Sequence, residues 1–128
     1  LQQKQPNIIV TGFLDNPYKL IAKSKIVIAP VRIGAGIQNK ILEGMAIGKP
    51  VVTFEERIKA LKHVQNFIDI IAVNSSEDFA KAIDTLLDSE RMRREIGKNA
   101  RKYIKRFYIW NEIEAKFREC IKSVLKWN

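Results

Sequence analysis

Cysteine and histidine are nearly missing from this chain, with Cys120 and His63 the single examples of each in 128 residues. One cysteine excludes an intramolecular disulfide and fits a reducing, cytoplasmic setting. With one of each, neither a zinc site nor a Ser/His or Cys/His nucleophile system has strong candidates, so hydrolases of those types are disfavoured. Cys120 reads as a small core residue of a last helix, and His63 as a loop or surface residue. Long apolar runs are also lacking, and none approaches the roughly 20 residues needed to span a bilayer. The chain opens LQQKQPN, with no initiator Met, charged n-region or apolar h-region, so no signal peptide is expected and the chain reads as a piece of something longer. The Walker spacing GxxxxGK[ST] is absent, and no internal repeat or low-complexity tract is visible.

What is present is apolar substance and positive charge. Hydrophobic residues make up 46% of the chain, enough for one domain with a real core. The formal charge is +9, and eight basic side chains between Arg91 and Arg106 meet only Glu95. Such an excess favours acidic partners, namely nucleotide phosphates, nucleic acid or an anionic membrane face. The plainer alternative for this run is a solvated helix face.

The order of elements points to an α/β fold. Asn7 to Phe13 is a β-branched run expected to be a buried strand, and Asn16 followed by Pro17 starts a short helix over Tyr18 to Ser24. Lys25 to Pro30 reads as a second strand, apolar throughout as if helices covered both faces. Val31 to Gly36 is a glycine-bearing loop, and Ile37 to Ile47 an amphipathic helix with Ile37, Ile41, Leu42 and Met45 inward. Ala46 is small enough to let that helix sit close on the sheet, and Gly48 supplies a left-handed stop. Pro50 to Phe54 is the third strand, a polar stretch with a short helix follows, and Ile68 to Val73 is the fourth. Ser75 or Ser76 caps a helix whose buried stripe is Phe79, Ala82, Ile83, Leu86 and Leu87. A longer helix, Glu90 to Phe107, turns Met92, Ile96, Ala100, Tyr103, Ile104 and Phe107 inward, and a last one is expected over residues 109–127. Alternating strands and helices imply a Rossmann-like open parallel sheet of about four strands, flanked by helices and ending in a helical tail.

In such sheets ligands bind beyond the carboxyl ends of the strands, which places function in the loops after Phe13, Pro30 and Phe54. Gly34 and Gly36 give GxG between a strand and a helix, with Glu55 about where a dinucleotide fold puts its ribose acid. Asn39 occupies the third glycine's place, which weakens that reading. A diphosphate-sugar site uses the residues better. Backbone N–H groups of the glycine loop approach an anionic phosphate, Arg32 and Lys40 add positive charge, and Glu43 accepts hydrogen bonds from ribose hydroxyls. The bland alternative makes Asn39 and Lys40 solvent residues and Glu43 an ordinary helix carboxylate.

VIAP followed by GAGIQNKILEGMAIGKPVV resembles the donor-binding signature of GT-B type retaining glycosyltransferases of group 1. The likeness extends over nearly the whole chain. NIIVTGFLDN resembles that family's preceding strand and glycine loop, SSEDFAKAIDTLLDSERMRREIGKNARKYI its paired helices, and FYIWNEIEAKF its aromatic crossover segment.

The resemblance implies that Glu43 binds the donor ribose. Gly36 and Ile37 would offer N–H groups to the diphosphate or sugar, with Asn39 and Lys40 nearby, and Gly12, Phe13 and Leu14 would line the nucleotide base. The family commonly carries a second glutamate upstream, and the matching position here is Ala35, so that donor-sugar contact is missing. No catalytic base, metal or cofactor is implied. Residues 1–128 would be the partial donor domain of a larger enzyme that moves a sugar from a nucleoside diphosphate sugar to a hydroxyl acceptor, saccharide or lipid-linked. The implied setting is the cytoplasm, at the inner membrane face if Arg91 to Arg106 touches lipid. A partial domain is also expected to self-associate through uncovered apolar surface. Two rivals stand beside this reading: a non-catalytic nucleotide or nucleic-acid binding module, and an oxidoreductase half using Glu55.

Overall fold

The computed structural model describes residues 6–109 and residue 120. The helix expected over residues 109–127 lies outside the described residues, apart from its two isolated positions. Among the described residues eight elements follow in order: α1 (Pro17–Lys23), β1 (Val27–Ala29), α2 (Asn39–Ile47), β2 (Val51–Phe54), α3 (Glu55–Ile58), β3 (Ile71–Val73), α4 (Ser76–Asp88) and α5 (Glu90–Phe107). The strands form one parallel sheet in the order β1-β2-β3, with Val27 opposite Val51 and Val52 opposite Ile71. It is the Rossmann-like open α/β sheet the sequence implies.

Strand alternation splits the core into two clusters, one on each face of the sheet. Ala29, Val51 and Ile70 pack with Ile41 and Met45 of α2 and with Ala100 and Tyr103 of α5. Val52, Phe54, Ile71 and Val73 pack with Phe79 and Leu86 of α4 and with Ile96 of α5. All four residues of β2 are buried, as a central strand between two helical layers requires. The helix α5 serves both clusters. Its approach to α2 is close because Gly97 has no side chain, and a Cβ there would overlap the carbonyl oxygen of Gly48.

The sheet has three strands among the described residues, one fewer than expected. Asn7 to Phe13 is not a strand, and Ile9 and Phe13 are 77% and 89% exposed. A strand exists by exchanging hydrogen bonds with a neighbour, and among the described residues this segment has none. β1 is likewise covered on one face only: Ala29 is fully buried, whereas Ile28 is 49% exposed. The strand expected from Ile68 begins at Ile71. Asn66 accounts for this, because its side chain donates to the carbonyl of Ala72 and accepts from that residue's N–H, both at 2.8 Å. Gln65 N–H, bonded to Asp69 Oδ2 at 2.9 Å, closes the same turn and leaves Ile68 outside the ladder.

Helix ends follow local chemistry. Ser75 caps α4 by accepting from Asp78 N–H at 3.0 Å, and Gly48 ends α2 at φ 83°, in the left-handed region. Three finer expectations are corrected. α2 starts at Asn39, so Ile37 belongs to the loop. Gly44, not Ala46, lies against the sheet: Ala46 is exposed, while a Cβ on Gly44 would sit 3.0 Å from Val51 Cγ2 and 3.1 Å from Val27 Cγ1. Leu87 is 45% exposed, because it falls off the edge of the stripe that buries Leu86.

Candidate functional site

Three parallel strands bring their carboxyl ends to one edge, and the loop after β1 crosses that edge from Pro30 to Gln38. The turn out of β1 is anchored below by Thr53, which is fully buried and donates its hydroxyl to the carbonyl of Ala29 at 3.0 Å. Val31 N–H bonds back to the same carbonyl at 2.8 Å. The chain then passes Gly34 at φ 148° and Gly36 at φ 71°, conformations in which a side chain is strained. Both glycines are therefore required by backbone shape.

Two arginines hold this loop. Arg32, within the loop, donates through Nη2 to the carbonyl of Asn74 at 2.7 Å, stands 3.6 Å from Glu56, and lies over the Phe54 ring at 3.9 Å. It thereby ties the loop to the ends of β2 and β3. Arg57, from α3, is 8% exposed and donates through Nη1 to the carbonyl of Gly34 at 2.6 Å. Beside Arg32 and Phe54 lies a shallow cleft of about 540 Å³, also lined by Pro30, Val31, Ile33 and Ser76.

The loop delivers the chain to α2, whose first turn carries Asn39 and Lys40, both exposed. Gln38 occupies the N-cap position without a side-chain cap bond, so the first backbone N–H groups of the helix are left for another acceptor. Glu43 is half-buried one turn further along, on the same side as Asn39. It accepts a hydrogen bond from the Tyr18 hydroxyl of α1 at 3.4 Å.

Gly34, Gly36, Ile37, Asn39, Lys40 and Glu43 thus form one continuous loop and helix start, with Arg32 braced at its entry. Gly12, Phe13 and Leu14 are not joined to it: among the described residues no hydrogen bond links their irregular segment to the loop. Gly12 has φ 65°, a turn conformation. Glu55 opens α3 at the end of β2. Sequence reading missed Arg57, Gln38 and Tyr18. Arg57 sits in a polar stretch with no periodicity, and nothing local distinguishes it from the exposed Lys59 or Lys62.

The basic run of α5 divides by helical position. Arg91, Arg94, Lys98, Arg101 and Lys105 are exposed along one stripe, and Arg94 pairs with Glu90 at 2.6 Å. Arg93 turns inward instead, donating to the carbonyls of Leu86 and Leu87 at the end of α4. No helix of the described residues is long and apolar enough to cross a membrane.

An open parallel α/β sheet with a glycine loop leading from a strand into a helix defines the class of this domain. Residues 1–89 match the family model described as glycosyl transferases group 1, and the chain belongs to that family. It is 24% identical over 122 residues to an uncharacterized glycosyltransferase of Methanocaldococcus jannaschii, covering 92% of this chain and 31% of that protein. It is likewise 24% identical over 123 residues to the putative glycosyltransferase YtcC of Bacillus subtilis, covering 93% of this chain and 30% of that protein. The chain therefore spans about a third of the length of these curated relatives.

Proposed function

We propose that this chain is the nucleotide-sugar binding part of a GT-B type glycosyltransferase that works with retention of configuration. The observation that carries the reading is the path from Gly34 to Glu43: left-handed glycines, an uncapped helix start, then a half-buried carboxylate. Uncapped N–H groups and the positive helix end suit a diphosphate. Glu43 suits vicinal ribose hydroxyls, with Tyr18 holding one of its oxygens in place.

The reaction would move a sugar from a nucleoside diphosphate to a hydroxyl of a saccharide or lipid-linked acceptor. Departure of the diphosphate builds negative charge, which preorganised N–H donors and cations stabilise. The chain needs no general base for that part of the work, and the acceptor would be held by portions of a longer protein. Sugar transfer by these 128 residues alone would contradict this division of labour.

Calorimetric titration with UDP-, GDP-, ADP- and CMP-sugars tests the reading, using wild type and Glu43→Ala. One nucleotide class should bind, and Glu43→Ala should weaken it about 10- to 100-fold, as expected for a hydrogen bond to a charged group worth about 1.5–3 kcal/mol. Equal affinity in both proteins would remove Glu43 from the site. Salt-dependent binding of oligonucleotides with no affinity for any nucleotide sugar would favour the non-catalytic nucleic-acid module.

A further inference from the structure

Among the described residues the cation beneath the glycine loop has no counter-ion. Arg57 is 8% exposed, its Nη1 is spent on the carbonyl of Gly34, and its Nε is buried without a hydrogen-bond partner. Among the described residues no carboxylate lies within salt-bridge distance of it, and the adjacent Glu56 is paired with Arg32 instead. Buried charges in proteins are ordinarily paired, because an isolated ion loses its hydration for nothing in return. Gln38 lies in the same place. A Cβ on Gly34 would stand 3.2 Å from Arg57 Nη1 and 3.4 Å from Gln38 Nε2, while Gln38 Oε1 is itself buried without a partner. The floor of the loop is thus positive, incompletely satisfied and held against a backbone shape that only glycine adopts easily.

We infer that Arg57 is a positioning residue for the donor diphosphate: it fixes Gly34 and lends the loop a positive charge whose counter-ion arrives with the ligand. This rests on the donor-site reading above. The guanidinium is covered by the loop, so it acts through the loop and through its field, not by direct contact with a phosphate. Because the Arg57 side chain is itself buried, its field is less screened by solvent than that of an exposed lysine. A merely structural pin would need the hydrogen bond to Gly34 but not the charge. The two roles separate under substitution, since Arg57→Gln keeps an amide donor and loses the charge, and Arg57→Lys keeps the charge.

The test measures wild type, Arg57→Gln and Arg57→Lys against UDP, GDP, ADP and CDP by calorimetry, and against the corresponding nucleosides by ligand-observed NMR. Arg57→Gln should weaken the preferred diphosphate at least tenfold, which is about 1.4 kcal/mol. Nucleoside binding should stay within about twofold of wild type, and Arg57→Lys should recover most of the diphosphate affinity. Melting temperature of the ligand-free Arg57→Gln protein should not fall, because an uncompensated buried charge has been removed. Wild type that binds a diphosphate with the same preference over nucleoside as Arg57→Gln would overturn this inference alone. Equal weakening of diphosphate and nucleoside in Arg57→Gln, or in Arg57→Lys where the Gln variant does not fold, would reduce Arg57 to a structural pin. Wild type that binds no nucleoside diphosphate would overturn the donor-site reading and this inference with it.

Discussion

Gly97→Ala puts the packing of α2 against α5 to a quantitative test. Helix propensity alone favours the change by about 1 kcal/mol, since glycine inside a helix is costly. The structure reverses that sign. The added Cβ would overlap the Gly48 carbonyl oxygen and stand 3.0 Å from its carbonyl carbon. That carbonyl has nowhere to turn. Gly48 N–H is bonded to Met45 O and Lys49 N–H to Gly44 O, both at 3.0 Å, so the strained cap is fixed on both sides. Relief must come from separating α5 from α2, which loosens the fully buried Ile41, Met45 and Ala100. Overpacking of this kind costs about 1–3 kcal/mol, and a backbone contact belongs at the upper end. Net of propensity, Gly97→Ala should destabilise by about 2 kcal/mol, and far-UV thermal melts should show a fall of roughly 10 °C. Gly44→Ala is the comparison. Its Cβ would meet side chains and no backbone, Val51 Cγ2 at 3.0 Å, Val27 Cγ1 at 3.1 Å and Val27 Cβ at 3.2 Å, a crowding that a shift of a few tenths of an ångström relieves, so the propensity gain should hold the change within about 1 kcal/mol. A Gly97→Ala protein melting at or above wild type, or a Gly44→Ala protein melting below Gly97→Ala, would refute the argument.

Tyr103 offers a pH test. Burial foremost, then the neighbouring Tyr108, raises its hydroxyl above the ordinary value, and the hydroxyl donates to the Lys62 carbonyl at 2.8 Å. Unfolded tyrosine loses its proton near pH 10 while the folded residue keeps it, so its stabilising effect is complete below about pH 10 and declines above. Denaturant melts should show Tyr103→Phe less stable by about 1 kcal/mol at pH 8, with the gap to wild type closing above pH 10; a gap that widens there would contradict the assignment. Contact of the α5 stripe with an anionic membrane is a further proposal, read by sedimentation with vesicles containing acidic lipid. Reversing Arg94, Lys98, Arg101 and Lys105 should abolish co-sedimentation, Arg93 being left intact because it caps α4, and binding indifferent to the reversal would dismiss the contact.

Signals confined to a few neighbouring residues were legible. Ser75 announces α4, Gly48 ends α2, and the spacing of Ile96, Ala100 and Tyr103 marks the inner face of α5, because capping and helical period act within one or two turns. The glycine loop was legible too, since Gly34 and Gly36 occupy backbone shapes closed to most residues. Asn7 to Phe13 shows the limit. Its β-branched run has strand propensity, yet a strand requires an edge to pair with, and propensity does not supply one. Ala46 and Gly44 show another. Both are small and two residues apart, and only the orientation of α2 on the sheet decides which of them faces Val27 and Val51.

The sequence by itself determined the alternation of strands and helices from Lys25 onward, the caps at Ser75 and Gly48, and the glycine loop that leads into the helix carrying Glu43, because these are written in local backbone chemistry. Tertiary structure alone decided that Arg57 lies beneath Gly34, that Arg32 braces the loop against Asn74, and that Gly97 meets Gly48. Each depends on chain segments distant in sequence being brought within a few ångströms by the sheet and its helices, and no local pattern encodes such a distance.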